Sequence, residues 1–150
     1  MKAVIQRCLH ADVVVENKTV GKIDKGFVVF LGIAENDTDQ DLDYLVRKIS
    51  GLRIFEDENA KMNKNIKDIE GEMLVISNFT LQANTSHGFR PDFFHAMMPQ
   101  RAEQYVNKFI ENCNNTGCFK KINSGIFGAD MKVSVVNDGP VTIIIDTENK

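Results

Sequence analysis

The sequence lacks several features that would place it in a specialised class of protein. It contains no tryptophan, three prolines and three cysteines, Cys8, Cys113 and Cys118, which form no CxxC pair. An odd number of isolated cysteines indicates neither a disulfide framework nor a zinc site, so we expect a reduced, cytoplasmic protein. No apolar run reaches the roughly 20 residues of a membrane helix, and no signal peptide precedes the first strand-like residues. We therefore expect no membrane partner.

Familiar catalytic motifs are missing as well. The chain has no GxSxG elbow, no P-loop, no GxGxxG and no HExxH. Its three histidines, His10, His87 and His95, are scattered, and a lone histidine is more often structural than catalytic. These absences disfavour a triad hydrolase and a metalloenzyme, and we expect no metal and no cofactor. The net charge of −3 disfavours a general nucleic-acid coat protein but allows contact with one RNA end through a local patch.

What the sequence does contain is apolar material for one domain, residues 1–150, since 43 % of its residues are hydrophobic. Two amphipathic helices are predicted, one beginning near Thr38 and one with Pro99 in its first turn. Their apolar stripes are Leu42, Leu45, Val46, Ile49 and Leu52, and Ala102, Tyr105, Val106, Phe109, Ile110 and Cys113. The two helices lie among six or seven predicted strands and share one sheet face, so the pattern predicts an α+β layered domain.

Residues 130–145 read as strand, turn, strand. Met131, Val133 and Val135, and then Val141, Ile143 and Ile145, repeat with the period of two that is typical of half-buried strands. The intervening tetrad Asn137-Asp138-Gly139-Pro140 favours a turn, so the pattern predicts a hairpin with this tetrad at its tip. A second interpretation stays open, because a Gly-Pro step exposes main-chain carbonyls that could bind an amine or a hydroxyl.

A second polar segment, residues 77–81, follows a predicted buried strand at residues 73–76. Small polar residues after such a strand often lie at a pocket mouth, although strand termination with a local Ser or Thr hydrogen bond fits equally well. With the carbonyls of Gly139-Pro140, this segment favours substrate positioning and oxyanion stabilisation by backbone N–H groups. Lys61, Lys64 and Lys67 recur at every third residue, which indicates either a solvated face or a phosphate-contacting patch.

These two segments resemble the signature motifs of the D-aminoacyl-tRNA deacylase family. The motifs here are Ser77-Asn78-Phe79-Thr80-Leu81 and Asn137-Asp138-Gly139-Pro140-Val141-Thr142. Other matching segments follow in the family's order: Ile5-Gln6-Arg7, Arg53-Ile54-Phe55, Lys61-Met62-Asn63, Arg90-Pro91-Asp92-Phe93, Phe127-Gly128 and Met131. Each is short, but together they cover nearly the whole length, and the chain is identified as a member of the family.

The resemblance implies a layered α/β/β fold with mostly antiparallel sheets, and a homodimeric enzyme that needs no cofactor. Its substrate would be aminoacyl-tRNA, whose ester between a D-amino acid and the 3′-terminal adenosine is hydrolysed. Removal of glycine from mischarged tRNA(Ala) is a further implied activity. In this family the Gly-Pro peptide is cis and enters the partner subunit's pocket, where its carbonyls hold the substrate amino group. An L side chain would collide with the motif, whereas a D side chain or glycine is admitted.

The resemblance also implies a role for individual residues. The implied catalytic residues are Ser77 and Thr80, and the implied substrate-binding residues are Gly139, Pro140, Arg7, Asn78, Phe79, Phe127 and Met131. Either Thr80 or the substrate's own 2′-hydroxyl would carry the chemistry, and we favour the hydroxyl because no residue near Thr80 in sequence is an evident base. One departure stands out, since the family usually carries Gln where this chain has Asn78.

Two other functions remain open at this point. A relative that edits an L-amino acid from mischarged tRNA would hold the Gly139-Pro140 peptide in the trans state. A catalytically silent dimer that binds RNA ends would use Lys61, Lys64 and Lys67 without requiring the hydroxyl-rich segment.

Overall fold

The computed structural model describes residues 1–149, in which a mixed β-sheet packs against two helices. The long strand β1 (Lys2–Val15) is the centre of the antiparallel part. Along one side, residues 2–8 of β1 pair with β3 (Gly26–Gly32), and residues 11–15 pair with β2 (Lys18–Ile23). On its other side β1 pairs with β8 (Lys132–Asp146) over most of its length. Side chains of β1 alternate between buried and half-exposed positions, as expected for a strand with two different faces.

The parallel part of the sheet is built onto β3. The strand β6 (Glu72–Ser77) runs parallel to β3, and β7 (Lys121–Ser124) runs parallel to β6. All residues of β6 are buried except Ser77 at its end, which is the pattern of a strand covered on both faces. The C-terminal ends of β3 and β6 therefore lie side by side. A separate pair, β4 (Phe55–Glu56) and β5 (Met62–Lys64), forms a small second sheet.

Both helices begin where the sequence predicts. In α1 (Asp39–Gly51) the Asp41 carboxylate accepts the N–H of the N-cap residue Thr38 at 2.9 Å, and α2 (Pro99–Asn115) has proline in its first turn. The buried positions are Leu42, Leu45, Val46 and Ile49 in α1, and Ala102, Val106, Phe109 and Cys113 in α2. The predicted stripes are thus confirmed as core-facing. No helix within residues 1–149 has the length and apolar character needed to cross a membrane.

The sheet has a hydrophobic core on each face. On the helical side, Phe27, Val29 and Leu31 of β3 pack with the apolar stripes of α1 and α2. On the other side, a smaller core combines residues of β1, β2, β3 and β6, namely Cys8, Ala11, Val13, Ile23, Val28, Leu74 and Ile76. On this side β2 also contacts β7, where Asn123 donates its side-chain amide to the Lys22 carbonyl at 2.6 Å. The combination of two helices with a mixed sheet confirms the α+β class.

The predicted hairpin at residues 130–145 is wrong. Residues 132–146 form the single strand β8, and both of its halves pair antiparallel with β1 rather than with each other. Asn137 lies opposite Cys8 and Thr142 lies opposite Gln6, so residues 138–141 face Arg7 alone. Residues 138–141 therefore form a bulge that projects from the edge of β8. Turn-forming residues are compatible with a bulge as well as with a reversal of the chain. A bulge forms here because β1 is long enough to pair with both halves of β8.

Candidate active site

A cavity of about 700 Å³ opens at the C-terminal ends of β3 and β6. One side is formed by the start of α2, with Met98 and Ala102, and another by the segment that leads into β8. Five of the predicted site residues line it: Ser77, Asn78, Phe79, Phe127 and Met131. Most of the other lining side chains are apolar, so the cavity suits a ligand with a flat, apolar body.

The polar segment after β6 forms a short 3₁₀ helix, Phe79–Gln82, that is fastened to β3. Asn78 donates its backbone N–H to the Leu31 carbonyl at 2.8 Å, and the buried Gln82 donates its amide to the Gly32 carbonyl at 2.9 Å. A side chain at Gly32 would not fit, since its Cβ would lie 2.9 Å from the Asn78 carbonyl oxygen. The absence of a side chain at Gly32 therefore allows this turn to approach the sheet closely.

Asn78 and Thr80 are joined within this turn. The side-chain oxygen of Asn78 accepts the Thr80 N–H at 3.2 Å and the Thr80 hydroxyl at 2.5 Å. Thr80 is exposed and does not line the cavity. Within residues 1–149 the N–H of Phe79 has no acceptor, and the Ser77 hydroxyl makes no hydrogen bond to another protein group. The turn thus presents one free backbone donor and one free hydroxyl beside the cavity.

Aromatic and apolar side chains form two walls of the cavity. Phe79 and Phe93 contact each other edge to face, with ring centroids 5.1 Å apart. On the opposite side, Phe127 and Gly128 belong to a turn in which Gly128 has a φ of +74°, and Met131 follows. Gly125 leaves room for this wall, because a Cβ there would lie 2.3 Å from the Met131 sulfur.

The bulge with Gly139 and Pro140 is exposed and does not line this chain's own cavity. The peptide bond between the two residues is cis, and Gly139 has a φ of +116°. The bulge is braced from beneath by Arg7, which is only 5 % exposed. Its guanidinium donates to the Ile54 carbonyl at 2.7 Å and to the Asp138 carbonyl at 3.2 Å, and it also pairs with the Asp138 carboxylate at 3.2 Å.

Asn137 ties the bulge to β1 from a second direction. Its side-chain amide donates to the Arg7 carbonyl at 3.0 Å and to the Val141 carbonyl at 3.2 Å. These bonds satisfy backbone oxygens that the bulge removes from the ladder. The main-chain atoms of Gly139 and Pro140 are thereby held rigidly at the surface.

The buried cysteines are poor nucleophiles. Burial raises the pKa of Cys8 to about 11 and that of Cys113 to about 12, so both stay protonated near neutral pH. Within residues 1–149 no group of three or more His, Cys, Asp or Glu side chains is placed to hold a metal ion.

Three residues that support the site were missed in the sequence. Gln82 and Gly32 each act through a partner distant along the chain, namely β3 for Gln82 and the 3₁₀ turn for Gly32, whereas Gly125 acts through Met131, six residues further on. A local signal existed for Gly32 alone, because it ends the apolar run of β3 immediately before the sheet edge. The structure brings Ser77, Asn78, Phe79, Phe127 and Met131 together, and it places Arg7, Gly139 and Pro140 in a separate cluster.

Comparison with known proteins identifies the family to which the chain belongs. The family model for D-Tyr-tRNA(Tyr) deacylase matches residues 4–146. The chain belongs to this family. It is 50 % identical to a D-aminoacyl-tRNA deacylase of Flavobacterium psychrophilum, over 100 % of this chain and 99 % of the relative. It is 49 % identical to a D-aminoacyl-tRNA deacylase of Caldicellulosiruptor saccharolyticus, over 99 % of this chain and 98 % of the relative.

Solved structures show the same architecture. One, described as c-Myc DNA unwinding element binding protein, is 44 % identical, superposes with a TM-score of 0.92 and covers 97 % of this chain and 98 % of that one. A second, described as a probable eukaryotic D-amino acid tRNA deacylase, has a TM-score of 0.82 at 15 % identity, covers 96 % of this chain and 97 % of that one, and shows the fold alone. The predicted family, fold class and enzyme class, a deacylase that hydrolyses an ester, are confirmed.

Proposed function

We propose that this protein hydrolyses the ester between a D-amino acid and the 3′-terminal adenosine of tRNA, as a homodimer in the cytoplasm. The observation that carries the proposal is the separation of the two signature segments. The rigid bulge at Gly139 and Pro140 is exposed and lies outside its own cavity, whereas the segment around Phe79 lines that cavity. A site that combines the two segments therefore takes the bulge from a second copy of the chain.

The cavity accommodates the end of the tRNA. Its volume of about 700 Å³ is within the range of small-molecule sites, and its apolar walls suit the face of an adenine ring. Phe127 and Met131 form one of these walls, and we assign them to the terminal adenosine. The phosphates that precede the adenosine remain in solvent, which is compatible with the chain's small net negative charge.

Discrimination between D- and L-amino acids follows from the bulge. The exposed main-chain carbonyls accept hydrogen bonds from the substrate's α-ammonium group and fix its orientation. The substituent on the α-carbon then points toward the bulge in one configuration and away from it in the other. An L side chain collides with the motif, and a D side chain or the hydrogen of glycine does not. Glycine charged on tRNA(Ala) is a second substrate for the same reason.

In the hydrolysis, water adds to the ester carbonyl carbon. The bond between this carbon and the 3′ oxygen then breaks, and the 3′ oxygen takes up the proton that the water has lost. The intermediate carries a negative oxygen, which the free N–H of Phe79 stabilises. An aminoacyl ester is already activated, so modest stabilisation suffices. The Thr80 hydroxyl donates to an amide oxygen, which is not a base, so the geometry favours assistance by the substrate's 2′-hydroxyl over attack by Thr80. Ser77 lines the cavity and orients the substrate.

The proposal is tested by incubating the purified protein with D-tyrosyl-tRNA and L-tyrosyl-tRNA and measuring the release of the amino acid. We expect release from the D substrate only, and a D substrate that lacks the 2′-hydroxyl should react poorly. Release of an L-amino acid from a mischarged tRNA would instead indicate an L-editing enzyme. Failure to release any amino acid, with retained binding of tRNA, would indicate a silent RNA-end-binding protein. Either result would overturn the proposal.

A further inference from the structure

The side chain of Asn78 is occupied within its own turn. Its oxygen accepts both the N–H and the hydroxyl of Thr80, at 3.2 and 2.5 Å, and it caps the 3₁₀ helix Phe79–Gln82. Asn78 nevertheless lines the cavity, and its own backbone N–H is bonded to the Leu31 carbonyl. Asn78 thus bonds to β3 through its backbone and to the turn through its side chain, and it also forms part of the cavity wall.

We propose that Asn78 is a positioning residue of the deacylase reaction, which acts by holding the turn so that the Phe79 N–H remains the free oxyanion donor. This inference rests on the proposed function. The first residues of a helical turn leave backbone donors without intrahelical partners. Asn78 consumes the donor of Thr80, and the donor of Phe79 has no acceptor within residues 1–149. The capping bond therefore selects which of two adjacent N–H groups is offered to the substrate.

The identity of the side chain matters for this role. Asn is among the preferred capping residues because its oxygen reaches the N–H two or three residues ahead without strain. Gln carries one more methylene group and is not a preferred capping residue. The shorter amide also accepts the Thr80 hydroxyl, so this hydroxyl is bonded within the turn. We infer that in this chain the amide serves the turn rather than the substrate.

Four variants test this role in single-turnover deacylation of D-tyrosyl-tRNA with saturating enzyme. Asn78→Ala removes both bonds and should lower the rate constant at least about tenfold, because small displacements of a catalytic group are costly. Asn78→Asp keeps the accepting oxygen and should retain a rate within about threefold of the unchanged protein. Asn78→Gln should fall between them. Asn65→Ala is the matched control, because the Asn65 side chain caps a remote turn by accepting the N–H groups of Lys67 and Asp68.

Hydrogen exchange of the Thr80 amide provides a readout that does not depend on activity. Asn78→Ala should accelerate this exchange markedly, whereas Asn78→Asp should leave it protected. The inference is overturned if Asn78→Ala keeps the full rate, or if Asn78→Asp loses as much rate as Asn78→Ala, since the amide would then contact the substrate directly. Unprotected exchange at Thr80 in the unchanged protein also overturns it. A protein that releases no amino acid while Thr80 is protected would overturn the proposed function instead.

Discussion

Arg7 is the buried side chain on which the exposed bulge depends most directly. Replacing it with Met should remove its bonds to the Ile54 and Asp138 carbonyls and leave the Asp138 carboxylate without its cation. We expect a loss of about 2–4 kcal/mol in the free energy of unfolding, because buried acceptors and a partly buried charge lose their partner. Urea denaturation measures this loss. Arg53→Met is the control, since Arg53 donates to the Asn63 carbonyl at the surface and should cost less than about 1 kcal/mol.

Gly139 is a second residue whose replacement should have a defined effect. A side chain is strained at its φ of +116°, and a Cβ there would lie 2.9 Å from the Arg7 guanidinium. Gly139→Ala should therefore displace the bulge and lower the rate of D-tyrosyl-tRNA deacylation by about 100-fold. Gly51→Ala is the matched control, because nothing lies within 4 Å of a Cβ at that position. Equal activity of both variants would contradict the role assigned to the bulge.

At the scale of elements, the 3₁₀ turn is predicted to depend on its close contact with β3 at Gly32. Gly32→Ala would place a Cβ 2.9 Å from both the Asn78 carbonyl oxygen and the Leu81 Cβ. The turn must then move away from β3, so the rate should fall about tenfold or more while the helices remain folded. Deacylation rates and circular dichroism measure the two effects. An unchanged rate would show that the position of the turn relative to β3 does not matter.

The helices and the site were predictable from the sequence to different degrees. The apolar stripes of α1 and α2 and their start signals are local, and the structure confirms them. The contribution of Ser77, Asn78 and Phe79 to a cavity followed from their place after a buried strand and from the family resemblance. The two halves of β8 could not be predicted as one strand, because that depends on pairing with β1 from the far end of the chain. The hydrogen bond from Gln82 to the Gly32 carbonyl was not predictable for the same reason, although Gly32 itself ends the apolar run of β3.

At the scale of the whole molecule, the proposed exchange of bulges between two subunits predicts complementation. Gly139→Ala damages the bulge and Gly32→Ala damages the cavity, so each homodimer should be impaired at both sites. In a mixed dimer, the intact bulge of one subunit meets the intact cavity of the other. Co-refolding equal amounts should restore about a quarter of the sites, since half of the dimers are mixed and each has one intact site. No recovery would indicate that the bulge serves its own chain or another purpose.

The buried thiols predict how stability depends on pH. Burial raises the pKa values of Cys8 and Cys113 from 9.0 to about 11 and about 12. The unfolded state therefore loses these protons at a lower pH than the folded state. Their contribution is fully present below pH 9 and is lost as the pH rises toward 12, by roughly 1.4 kcal/mol per pH unit for each thiol. Urea midpoints measured from pH 7 to 11 should show this decline, and the double variant Cys8→Ala, Cys113→Ala should flatten it.

The groups that would meet the substrate at Phe79 and at Gly139 belong to the peptide chain itself. A point mutation can remove or move such a backbone group, but it cannot replace it with a different functional group. Selection acting on this protein can therefore reshape the space around the amino acid side chain and broaden or narrow the range accepted. The stereochemical preference itself would be inherited unchanged through such drift, because it is encoded in the course of the backbone.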